Sequence, residues 1–111
     1  MQVAVQPYQI PYRVMVPKRG EVENLLVPVA FSASHVAYSS VRMEPQYMIL
    51  GQAAGVAAAM AIHGNVPVQD IDTAQLTRIL VQHGAILEFQ ETAQGAVIAR
   101  FKGRWPPAGA R

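Results

Sequence analysis

Between residues 39 and 62 the chain reads SSVRMEPQYMILGQAAGVAAAMAI, a polar and charged start followed by a long run of small and apolar residues. This run restricts the fold more than any other feature, because a helix that is apolar on every side must be covered on every side, by protein or by lipid. Three explanations compete: a membrane span, a helix packed so closely that only small side chains fit, and a helix whose start serves a ligand. The apolar part, residues 48–62, falls short of the ~20 residues that cross a bilayer and carries Gln52, so a membrane span is not expected.

Gly51, Gly55 and Ala59 recur every four positions, with Ala54 and Ala58 as a neighbouring ridge. A Gly inside an exposed helix costs about 1 kcal/mol relative to Ala, so two of them predict close packing, here of a buried helix against a sheet. The helix is expected to begin near Arg42 to Pro45, since Pro is tolerated in a first turn where its missing N–H has no partner. HGN is expected to end it, with Gly64 in the left-handed conformation and Pro67 blocking continuation.

A chain of 111 residues makes one small domain, and 51% hydrophobic against 14% charged residues is a lean surface for that size. Part of that surface is therefore expected to meet a partner or a missing remainder. The formal charge is +2 and the basic residues are dispersed except for Lys18-Arg19 and the tail Arg100, Lys102, Arg104 and Arg111, which speaks against nucleic-acid binding. The absence of cysteine excludes disulfides, thiolate nucleophiles and Cys-based zinc sites, and a cytoplasmic location is expected by default. The opening MQVAVQPYQIPYR lacks the basic and apolar regions of a secretory signal.

Elsewhere the pattern predicts strands. PYRVMV, residues 11–16, reads as a short strand, PKRGE as a turn, and LLVPVAF, residues 25–31, as a strand buried on both faces, although Pro28 cannot donate to a ladder. SASHVAYSS, residues 32–40, reads as a polar loop. A second helix is predicted in DIDTAQLTRILVQHG, with Asp72 as N-cap, Gln75 completing a capping box, and Ile71 and Leu76 as a hydrophobic staple. Leu76, Ile79, Leu80 and His83 share its face, and Gly84 closes it. AILEFQ and AVIARF suggest two further strands around Gly95.

Arg42 and Glu44 stand at the start of an otherwise apolar helix. Unpaired N–H groups and the positive end of the macrodipole make such a start a site for an anion or an electronegative oxygen. Arg42 opposes the dipole, so it is explained either by a ligand or by an ion pair with Glu44 or another acid. His35, His63 and His83 lack metal-site spacing, and Ser32 and Ser34 beside His35 lack the GxSxG elbow of a hydrolase. His63 and His83 read as helix C-terminal residues that interact with the dipole.

In order and spacing, IPYR, PK, ENLLVP, SASH, RMEP and LGQAAG resemble the C-terminal part of the FAD-dependent oxidoreductases related to fumarate reductase and the glutathione-reductase-like flavoproteins. The resemblance covers residues 8–62, and the following VQDIDTAQLTRIL is similar to the short helix that commonly succeeds them. It implies an α/β fold, a C-terminal fragment of a Rossmann-like FAD-binding domain with a few strands plus two helices. Residues 1–88 would form that segment, and residues 89–111 a terminal strand and flexible tail.

The resemblance also implies FAD as cofactor, with the backbone around Ser32 and Ser34 near its ribityl and pyrophosphate portion. Arg42, Met43 and Glu44 would present the helix start to the isoalloxazine carbonyl edge. His35 would face flavin or substrate, or act as a hydrogen-bonded loop histidine. The glycines at 20, 51, 55, 64, 84, 95, 103 and 109 contain no G-x-G spacing, so the usual diphosphate cradle is missing. The expected partner is therefore the remaining half of the FAD domain, or a second copy in a homo-oligomer. Two functions follow: an FAD-dependent oxidoreductase segment forming one wall of the flavin site, or a non-catalytic interaction module that uses its exposed apolar face.

Overall fold

Three α-helices carry residues 8–88, the part that the computed structural model describes: α1 (His35–Val41), α2 (Glu44–Gly64) and α3 (Thr73–Gln82). Two 3-10 turns, Tyr12–Met15 and Val68–Asp70, complete the regular structure. Among the described residues there is no strand, so the expected α/β, Rossmann-like fold is overturned. The segment expected as a first strand coils into the Tyr12–Met15 turn, and residues 25–31 are irregular. Two isolated backbone bonds connect these segments, from Val27 N–H to the Met15 carbonyl and from Ser32 N–H to the Val14 carbonyl, each 2.8 Å.

The physical reason is that a strand is stable only beside another strand, and Pro28 removes one of the donors a ladder needs. β-Branched, apolar composition made these segments look like strands, but among the described residues no neighbouring strand pairs with them. Of the later strands, residues 85–88 are irregular, while the rest of AILEFQ, all of AVIARF and the tail lie outside the described residues.

α2 organises the packing. It is apolar all round, and the face it buries carries Leu50, Ala54, Ala57 and Ala61, spaced four, three and four residues apart as one helical stripe requires. Its first half meets Met15, Phe31 and Val41, and its second half meets Val68, Ile71, Leu76 and Leu80. Tyr12, Leu26 and Ala53 touch both groups and make them continuous. At 21 residues α2 has the length and composition of a membrane span. Its buried stripe packs against α3 and the first segment, and 28% of its 18-residue apolar window is buried.

The opposite face is a second correction. Gly51, Gly55 and Ala59, expected to pack closely, are exposed, and a Cβ placed on either glycine meets nothing within 4 Å. Small side chains therefore serve packing at Ala54, Ala57 and Ala61, on the adjacent stripe.

The helix ends follow local chemistry. α2 stops at Asn65, which takes the left-handed conformation at φ 49° while Gly64 stays helical, one position from the expected stop. Asn is the residue besides Gly that best tolerates this conformation. α3 opens on the expected Asp72 cap, its carboxylate accepting from the N–H groups of Ala74 at 2.9 Å and Gln75 at 3.2 Å, while the return bond from the Gln75 side chain that would complete a capping box is absent among the described residues. Ile71 and Leu76 are both buried, and Gly84 closes the helix at φ 85°.

Candidate functional site

Residues 32–40, expected as a loop, hold all of α1 but its last residue, Val41. Ser34 is its N-cap, the side-chain oxygen accepting from Ala37 N–H at 3.3 Å. The hydroxyls of Ser39 and Ser40 donate back to the carbonyls of Val36 and Ala37, each at 2.8 Å. Serines satisfied within their own turn are compatible with helix, although their composition reads as loop. The usable signal was Ser34 placed before His35 and the apolar pair Val36 and Ala37, a start signature for a helix too short to show clear periodicity.

α1 divides the six expected site residues into two groups. Ser32, Ser34 and His35 precede or begin it, whereas Arg42, Met43 and Glu44 follow it. His35 and Arg42 are seven positions apart, roughly 10 Å along the helix axis. All six are exposed. The Ser32 N–H donates to the Val14 carbonyl, and the Ser34 hydroxyl oxygen accepts from Ala37 N–H as a cap while keeping its own O–H donor. His35 is the first residue of α1.

The second group has the open chemistry. Arg42 caps α1 through its N–H, which donates to the Tyr38 carbonyl at 2.9 Å, and its exposed guanidinium has no acidic partner among the described residues. The expected ion pair with Glu44 is therefore not formed there. Met43 is the N-cap of α2 in extended conformation and supplies no side-chain acceptor to the helix start. Glu44 and Pro45 fill the first turn, the former favourably placed on the dipole and the latter lacking an N–H. In the same turn, Gln46 Oε1 is buried without a hydrogen-bond partner.

This start therefore combines first-turn N–H groups without a side-chain cap, one cation, one carboxylate and one orphaned acceptor. The Arg42 and Glu44 charges cancel, so the set suits a polar carbonyl edge with its own N–H donor better than a phosphate. The chain lacks the glycine spacing of the usual dinucleotide diphosphate cradle.

Aromatic side chains brace the same region. Phe31 lies with its ring centroid 5.0 Å from that of Tyr38 and 6.4 Å from that of Tyr47. The Tyr38 and Tyr47 hydroxyls are 3.3 Å apart, and the Tyr8 hydroxyl pairs with Ser40. The bond to Tyr38, with partial desolvation, raises the Tyr47 pKa above the usual tyrosine value, and the Arg42 charge opposes this.

A separate open cleft of about 630 Å³ runs between the C-terminal half of α2 and α3, with Met60 and Ile79 on its walls and His63 and His83 beside it. None of the six expected residues lines it. His63 is in the last turn of α2, where its Nδ1 is 2.8 Å from the Ala59 carbonyl oxygen, and His83 is the C-cap of α3, so both occupy the helix ends expected of them.

A family model described as FAD dependent oxidoreductase matches residues 1–80. No curated protein and no solved structure matches the chain.

Proposed function

The chain belongs to the FAD dependent oxidoreductase family, and from that premise we propose that it is a C-terminal segment of such an enzyme, contributing one wall of the flavin site. The start of α2, with Arg42, Met43 and Glu44, is that wall. The observation that carries the reading is the uncapped first turn of α2 beside Arg42, whose guanidinium has no acidic partner among the described residues. First-turn N–H groups and Arg42 would hold the carbonyl oxygens of the isoalloxazine. The dipole at this end favours negative charge on the bound ring, which lowers the cost of its reduction. Bound FAD would supply hydride transfer with a substrate. The fumarate-reductase-like branch of the family and a cytoplasmic location are part of the proposal.

The diphosphate-binding half has to come from outside these residues. The test is absorbance of the purified chain mixed with FAD, alone and together with a separately produced GxGxxG-containing half of the same enzyme type. Flavin retained in the mixture, with Arg42→Ala weakening it about tenfold, is the expected result. Colourless protein in both samples would overturn the proposal.

The outer face of α2 favours a second reading, a non-catalytic interaction module. Met48 is 74% and Ile62 79% exposed, and they flank Gly51, Gly55 and Ala59. Association with a partner without any retained flavin would select this reading.

A further inference from the structure

We infer that Tyr38 and Tyr47 are positioning residues of the α2 start, their paired hydroxyls setting the angle between α1 and α2 and thereby the placement of Arg42. The inference rests on the flavin-wall reading for its functional meaning and on geometry for its substance.

α1 has only seven residues, of which only Val41 is buried, and a helix that short has little stability of its own. It joins α2 directly: Arg42 is the C-cap of α1, and Met43 is the N-cap of α2. Backbone bonds at this junction run from Arg42 N–H to Tyr38 at 2.9 Å, from Met43 N–H to Val41 at 2.7 Å and from Tyr47 N–H to Met43 at 3.1 Å. These bonds are local to the junction or to one helix, so they leave a pivot between the helices. Across that pivot, beside the packing of Val41 against the first half of α2, runs the half-buried Tyr38–Tyr47 hydroxyl hydrogen bond, backed by Phe31 against both rings.

Tyr38 and Tyr47 are also the residues whose backbone groups frame the Arg42–Met43 step. Tyr38 accepts the Arg42 N–H, and Tyr47 donates to Met43, so a rotation at either tyrosine is transmitted to the step itself. The Arg42 charge acts on the Tyr47 hydroxyl, as expected for neighbours across this junction. Removing the hydroxyl bond frees α1 to turn about residues 42–43 and moves the guanidinium relative to the first-turn N–H groups. Removing a ring would instead remove packing, which is why the informative change is Tyr to Phe.

The experiment uses the full chain with Tyr38→Phe, Tyr47→Phe and the double substitution. Amide hydrogen exchange at Arg42, Met43 and Tyr47 is expected to quicken about fivefold in each single variant and no further in the double, since one bond is lost in all three. Unchanged exchange overturns the inference. In the mixture with FAD and the GxGxxG-containing half, each Phe variant is expected to lose several-fold in flavin affinity in the wild-type background and nothing more in an Arg42→Ala background. Additive losses overturn a role through Arg42. A wild-type mixture that takes up no FAD overturns the flavin-wall reading and leaves the exchange result to decide the positioning role.

Discussion

The Tyr12 hydroxyl donates a 2.8 Å hydrogen bond to the carbonyl oxygen of Val68, joining positions 56 residues apart. It ties the first 3-10 turn to the second, across a core that contains Ala57, Ala61, Val68 and Leu80. Tyr12→Phe keeps the ring and leaves the Val68 carbonyl unpaired, so a loss of about 1 kcal/mol in unfolding free energy is expected by urea titration. Burial pushes the Tyr12 pKa up from 10.0 to about 12. Below pH 10 the phenol is protonated whether the chain is folded or unfolded, and its contribution is complete. As pH rises from 10 towards 12, the unfolded chain ionises first, so stability falls across that window, and Tyr12→Phe should flatten that fall. An equal pH dependence in the variant would count against the assignment.

The two faces of α2 make opposite predictions. Gly51 and Gly55 are helical, exposed and without neighbours that a Cβ would meet, so replacing either with Ala should stabilise the free chain by about 0.5–1 kcal/mol. Ala57 is 0% exposed in the centre of the core, and Ala57→Leu should destabilise by about 1–3 kcal/mol through overpacking. Ala59→Leu, two residues away on the exposed face, should be nearly neutral. Thermal unfolding of the four variants checks all of this, and destabilisation by the Gly51 or Gly55 change would mean that this face is covered in solution.

Asp72 starts α3 by accepting two backbone N–H bonds. Asp72→Ala should cost about 1 kcal/mol, and Asp72→Asn, which keeps an acceptor oxygen, clearly less. Helical circular dichroism followed through a urea titration distinguishes the two. Equal losses would show that the acceptor oxygen is not what matters.

Legibility varied with the range of the interactions involved. The α3 cap, the staple of Ile71 and Leu76 and the Gly84 stop were readable because each depends on residues within a few positions of one another. α1 was hidden because Ser34 has the same composition cue in a loop as at a cap, and seven residues are too few for periodicity to decide. Of the candidate site, Arg42, Met43 and Glu44 were legible as an unusual helix start. The occupied state of Ser32 was not, because its partner Val14 is distant in the chain.

The amino-acid sequence by itself determined where α2 and α3 begin and end to within about a residue, because caps, Pro and left-handed stops act locally. It also carried the motifs that resemble a flavoenzyme. Whether the segments at 11–16 and 25–31 became strands was decided only by tertiary structure, since a strand takes its hydrogen bonds from another part of the chain. The same holds for α2, whose nearly uniform apolar surface left open which side would be buried. Leu50, Ala54, Ala57 and Ala61 face inward because α3 and the first segment dock there, and Gly51, Gly55 and Ala59 are left facing out.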